Sequence, residues 1–442
     1  MPYYMKKIII FLILFSFICA QLSIIDVFAE SKNIFGVHLS DTNDISKAAP
    51  LINSNNGDWG YVTIVIRSDL LNRQMWQDFF DKCREFHITP IIRLSTILEN
   101  DHWKKPEYSD IDAMTSFLNS LNWPHKKQII ILFNEPNHGS EWGGGVDVKN
   151  FVDITTYTSF RLKSLNQNFY ILSTGLDLAA PSKLPDFESA TNFYQQIITY
   201  KPSYFDNIDG LSHHYYPNNS PKNYVWELNL IKKLGIKKEL PIYITETGFG
   251  NVKTSGKLLA NYYNLWARDL RIIAVTPFIF NYPYFPFDQF SWLDVAGNLN
   301  YGYKKLVDMP KQKNTINQIN SFKVIFTHLP FIIFPNTVYH SMVELQNTGQ
   351  SIWGEKYFCL KATASENIKL SDLCVDPIIK TLPNQIQKIK FNFEIKSASK
   401  SSYISWETLP KYNLSLLAPN STIYHPKTSI LNYVKQWWSG LF

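Results

Sequence analysis

The sequence predicts an α/β protein, a (β/α)8 TIM barrel, followed by a small all-β sandwich domain. From about residue 33 to 310, short apolar runs alternate with longer segments whose apolar residues recur every three or four positions. Runs buried on both faces and separated by helices signal parallel βαβ units, and eight of them match the size of a closed barrel. No glycine-rich phosphate turn follows the first run, which a doubly wound open sheet would use. After residue 320 the pattern changes to strict polar–apolar alternation with turn residues between the runs, as in antiparallel sheet with one wet face.

Residues 1–29 read as a signal peptide. Lys6 and Lys7 precede an unbroken apolar stretch, and Val27-Phe28-Ala29 offers small residues suited to signal peptidase. Export to the outside or to the cell surface is expected, with an uncleaved anchor as the alternative. The barrel is assigned to residues 32–320. Its strands are expected in "NIFGVHLS", "YVTIVIRS", "TPIIRLS", "QIIILFNE", "FYILSTGLD", "IDGLSHHYY", "PIYITETGF" and "VTPFIFNY". Segments such as "LLNRQMWQDFFDKCREF" and "KLLANYYNLWARDL" carry the helical spacing between them. The sandwich is assigned to 321–432, where Ile389, Phe391, Phe393 and Ile395 share one face and Lys390, Asn392, Glu394 and Lys396 the other. The last residues, 433–442, read as a short amphipathic tail.

Composition narrows the function. The chain has 442 residues, 45% hydrophobic and 18% charged, which is a packed protein. Its 43 basic and 37 acidic residues leave +6, dispersed along the chain, so no nucleic-acid partner is expected. The 12 Trp, 25 Tyr and 30 Phe suit a deep core and also a sugar site, where flat rings stack on pyranose faces. Cys83 falls in a helical pattern as a buried thiol, and for Cys359 and Cys374 a disulfide and two free thiols both stay open. Neither their spacing nor nearby histidines suggest zinc, and no metal or organic cofactor is implied.

The chemistry lies at strand ends. "ILFNEPNHG" closes the fourth run with Asn134, Glu135 and Pro136, residue types that a buried strand does not want. The seventh, "PIYITETGFG", closes with Thr245, Glu246 and Thr247. In a parallel barrel these ends open on one face, so two carboxylates meet across the mouth, one to protonate a leaving oxygen and one to attack an anomeric carbon. The sixth run places Ser212, His214 and Tyr216 on one face. Arg67 and Arg93, closing the second and third runs, are candidates to keep one carboxylate charged. His38 closes the first. Trp292 in "FSWLD" is a candidate sugar platform, Asn281 and Tyr282 end the eighth run, and Trp142 sits in the glycine-rich "SEWGGG" with its ring expected to be accessible.

These motifs resemble clan A of the glycoside hydrolases, retaining barrel enzymes whose two glutamates close strands four and seven. The resemblance implies Glu135 as general acid/base, Glu246 as nucleophile, and Asn134 as donor to the sugar 2-hydroxyl. "DGLSHHYYP" is similar to the clan's sixth-strand pattern and implies His214 and Tyr216 at the site. "NTGQSIW" with "ISWE" resembles the bacterial immunoglobulin-like modules appended to secreted glycosidases. The expected activity is hydrolysis of β-linked oligo- or polysaccharides by double displacement, by a monomer that associates with the cell surface through its C-terminal domain. The rival reading is a carbohydrate-binding protein that keeps the barrel without turnover.

Overall fold

The computed structural model describes residues 32–328 without interruption, most of 330–396, and strands at 402–409 and 423–425. The signal segment and the C-terminal tail lie outside the described residues.

Residues 36–307 alternate strand and helix, apart from a short antiparallel hairpin of Leu98–Glu99 with His102–Trp103. The strands are β1 (Gly36–Leu39), β2 (Gly60–Arg67), β3 (Ile88–Ser95), β4 (Gln128–Ile131), β5 (Phe169–Leu172), β6 (Leu211–Tyr215), β7 (Ile242–Thr247) and β8 (Ile272–Val275). After them come, in turn, α1 (Ile45–Ile52), α2 (Arg73–Glu85), α3 (Tyr108–Ser120), α4 (Val148–Leu165), α5 (Ala190–Tyr200), α6 (Tyr224–Lys233), α7 (Ser255–Trp266) and α8 (Lys304–Val307). Side-chain caps start several helices: Asn72 accepts from Met75 N, Asp147 from Asn150 N and Ser189 from Asn192 N.

All pairing among these strands is parallel. The ladders form a five-stranded sheet, β1-β2-β3-β4-β5, and a three-stranded one, β8-β7-β6. No continuous ladder joins the two sheets among the described residues; single bridges link their edges, Phe35 to Val275 and Leu172 to Gly210. Hydrogen bonds run across both seams, from Val275 N to Ile34 O at 2.8 Å and from Ser173 N to Gly210 O at 3.0 Å. Alternate residues of one strand enter different cores. Ile130, Ile92 and Ile244 pack outward with the helices, whereas Ile129, Ile131, Ile91 and Tyr243 form a second cluster with Tyr61, Leu172 and Ala274. Burial on both faces explains why these strands read as continuous apolar runs.

Beyond residue 320 lie β9 (Phe322–His328), β10 (Val338–Asn347), β11 (Cys359–Ala364), β12 (Ile368–Leu370), β13 (Leu373–Cys374), β14 (Ile386–Ile395), β15 (Ser402–Leu409) and β16 (Ile423–His425). They form two four-stranded antiparallel sheets, β9-β10-β14-β12 and β13-β11-β15-β16. Ile389, Phe391, Phe393 and Ile395 are buried, with Lys390 and Asn392 exposed between them, so the expected alternation holds. In the register Cys359 stands opposite Cys374. Among the described residues no helix is long and apolar enough to cross a membrane.

Candidate active site

Apolar β4 ends at Ile131, and the backbone then turns sharply. Phe133 and Glu135 take positive φ, 65° and 27°, a region that side chains other than glycine rarely enter. The bend is fixed by hydrogen bonds from Glu135 N to Gly175 O (3.1 Å) and from His138 N to Glu135 O (2.8 Å). It turns the Glu135 carboxylate toward the residues that close β6 and β7.

There Glu135 meets His214 and Glu246. A carboxylate oxygen of each glutamate and a ring nitrogen of His214 all lie within 4.8 Å of one another. His214 Nδ1 is 2.7 Å from Glu135 Oε1 and 3.8 Å from Glu246 Oε2. Tyr216 donates its hydroxyl to Glu246 Oε2 at 3.1 Å. Arg93 donates to Glu246 Oε1, and the same guanidinium nitrogen donates to Asn134 Oδ1 at 2.7 Å. His38 Nε2 is 3.9 Å from Glu246 Oε1. Strand alternation sorts the two neighbouring histidines: His214 faces this cluster, and His213 points the other way to Glu227 at 2.5 Å. Space is filled closely. A Cβ on Gly175 would come within 2.3 Å of the His214 ring, so only glycine admits the imidazole here. A small cavity of about 20 Å3, room for one water, adjoins Glu135, Asp177, His214 and Tyr216.

The charges divide into clear roles. Burial opposes ionisation of Glu246, but the His214 and Arg93 charges overcome it and hold the carboxyl down to about 2. Burial likewise opposes protonation of His214, yet Glu246 and Glu135 raise it above the usual imidazole value. His38 goes the other way, lowered to about 3 by burial and then by Arg93, so it is neutral at pH 7. A third carboxyl, Glu141, is pushed up to about 7, chiefly by burial and against the pull of Arg93. Glu141 stands in the same "SEWGGG" segment whose tryptophan attracted attention in the sequence.

Asn134, Glu135, His214, Tyr216, Glu246 and His38 are therefore brought together; three other expectations need correction. Arg67 does not reach the cluster. In the register it lies opposite Ser95, two residues past Arg93 and so roughly 6–7 Å further along the sheet. There it forks onto Asp69, with contacts of 2.9 and 2.5 Å. Trp292 is no sugar platform: it is 0% exposed, stacked on Tyr303 at 5.0 Å and edge-on to Phe35 at 6.4 Å. Trp142 is also buried, its indole donating to Asn150 at 2.9 Å between Phe133 and Phe151. Asn281 is tied to Asp44 at 3.1 Å, and Tyr282 is partly exposed beside Phe287.

The aromatic surface near the cluster comes instead from Phe278, which is half-buried just past β8. Its ring lies edge-on to His38 at 5.4 Å and to Phe287 at 5.1 Å, while Phe290 packs against Tyr216 at 5.8 Å. Because Trp292 fills core volume, Trp292→Ala is expected to cost about 3–5 kcal/mol of stability. Denaturant unfolding should show that loss.

No family model and no curated protein matches the chain. Among solved structures, similar chains include a glucosidase from Croceicoccus marinus, at 7% identity and TM-score 0.48, covering 83% of this chain and 97% of that one. Another is the exo-β-1,4-mannosidase Op5Man5 from Opitutaceae bacterium strain TAV5, at 14% identity and TM-score 0.40, covering 64% of this chain and 61% of the mannosidase. Endo-glycoceramidase II from Rhodococcus sp. has 9% identity and TM-score 0.38, covering 83% and 98%. At such values the chemistry has to be read from the side chains themselves.

Proposed function

We propose that the chain is a retaining β-glycoside hydrolase, with its eight parallel strands arranged as a (β/α)8 barrel whose two seams are the single bridges at Val275 and Gly210. The carrying observation is the approach of Glu135 and Glu246 to within 4.8 Å at the ends of β4 and β7. Retaining enzymes hold their carboxyl groups about 5–5.5 Å apart, whereas inverting ones leave roughly 6.5–9.5 Å for a water.

On this reading Glu246, kept ionised by Arg93, His214 and Tyr216, attacks the anomeric carbon while Glu135 gives a proton to the departing oxygen. Glu135 then takes a proton from water, whose oxygen attacks the same carbon and frees Glu246. Arg93 fixes the Asn134 side chain, which suits it to hold the sugar 2-hydroxyl. Neutral His38 borders the pocket without adding a charge that would compete for Glu246, and Phe278 offers the apolar face for a pyranose. The β-configuration and polysaccharide class rest on the clan A resemblance. The two antiparallel sheets are read as an accessory immunoglobulin-like module, and the N-terminal apolar stretch supports export and a secreted or surface location. A panel of aryl β-glycosides tests the assignment: the natural chain should release the phenol from at least one of them, and Glu246→Gln should not.

A further inference from the structure

A second cavity, of about 610 Å3, lies at the opposite end of the strands, within the size range of small-molecule sites. Tyr61, Thr89, Ile129 and Ile273, which line it, are each the second residue of β2, β3, β4 and β8. The wall on the far side is the segment 312–317, held in place through its backbone. Asp58 N donates to Gln312 O at 3.2 Å, Asn314 N to Asp58 O at 3.1 Å, and Lys126 N to Asn317 O at 2.9 Å. Asn314 Nδ2 adds bonds to Asn33 O at 2.7 Å and Trp59 O at 2.9 Å. The cavity is thus a built feature rather than a gap beside a free loop.

Its charge is one-sided. Lys32, Lys126, Lys127 and Lys313 line it, and no Asp or Glu does. None of these four lysines joins an ion pair among the described residues, whereas the lysines that do pair lie elsewhere. The nearest acids are already engaged. Asp58 holds His87 at 2.7 Å, and Asp209 holds Lys163 at 2.7 Å and Ile171 N at 2.9 Å. Lys127 is oriented from behind, its ammonium donating to the Tyr243 hydroxyl at 2.7 Å and lying 3.8 Å from the centre of the Tyr170 ring. Desolvation and the neighbouring Lys32 push Lys127 down to about 8, against the pull of the Asp209 charge. His125 is neutral and hydrogen-bonded to Thr89 at 3.1 Å, so it adds polarity without charge.

We propose that this cavity is a binding site for a small polyanion, a molecule bearing phosphate or several carboxylates, separate from the glutamate cluster. Four ammonium groups that join no ion pair among the described residues focus positive potential on one concave volume, where an oxyanion can accept from several of them. Calorimetric titration of the full chain at low ionic strength, with inorganic phosphate and separately with citrate, tests the site and distinguishes the two anion sources. Saturable binding of either, weakening as salt rises and at least about tenfold weaker in Lys32→Gln/Lys313→Gln or in Lys127→Gln, is the expected result. Lys32 and Lys313 are exposed, so the double variant keeps its fold even if Lys127→Gln does not. Absence of saturable binding by both anions, or binding unchanged in both variants, would overturn the proposal.

Discussion

Glu246→Gln is expected to lower hydrolysis of an aryl β-glycoside by roughly 10^3- to 10^5-fold while leaving sugar binding within a few-fold of the natural chain. The amide keeps the shape of the side chain, and its single oxygen can still accept from one of the two donors, Arg93 or Tyr216. It lacks the negative charge needed to attack the anomeric carbon and to stabilise the cationic ring as the glycosidic bond lengthens. All the positive character gathered at the end of β7 serves that charge: the Arg93 guanidinium, the raised His214 and the Tyr216 hydroxyl at 3.1 Å. Retained binding with lost turnover places Glu246 in the bond-breaking step. Unchanged hydrolysis by the variant would remove it from the chemistry altogether.

Arg93→Met should have the second largest effect, and its pH dependence is diagnostic. Glu246 sits in a buried environment that by itself favours the protonated acid, and Arg93 is one of the two main charges that reverse this. The folded carboxyl titrates near 2, below the usual 4.5, so activity needing the ionised form is present above that value and fails as pH falls through it. The same ionisation adds stability that is full above pH 4.5 and lost as pH falls towards 2. Without Arg93 the carboxyl titrates higher, and the acid limb of kcat/KM moves upward by at least about one pH unit. At pH 7 the loss is expected to be about 10^2-fold, because Asn134 and Glu246 also lose their shared anchor. A uniform loss with no movement of the acid limb would mean that Arg93 serves structure alone.

The strand-and-helix rhythm was legible because burial on both strand faces leaves unbroken apolar runs, and because each helix spends its apolar stripe on those runs. Glu135 and Glu246 were legible for the same reason: a carboxylate ending such a run has no structural use there. Which arginine serves them was not. Arg67 and Arg93 share strand parity and position at a run's end, and only the register between β2 and β3 shows that Arg67 overshoots to Asp69. Aromatic residues misled in a related way. Trp292 and Trp142 sit in loop-like sequence, but large rings are drawn under loops to fill volume, and that burial depends on tertiary packing. Phe278 carries no local signature, and Glu141 became visible only when the turn after β4 carried it into the field of Arg93, Glu135 and Glu246.

Double displacement at Glu135 and Glu246 is tested most directly by the anomeric configuration of the first product formed, followed by proton NMR during hydrolysis of a β-glycoside. The β-anomer should accumulate first and reach the mutarotation equilibrium only later. First appearance of the α-anomer would mean single displacement by water, and would contradict a nucleophilic Glu246.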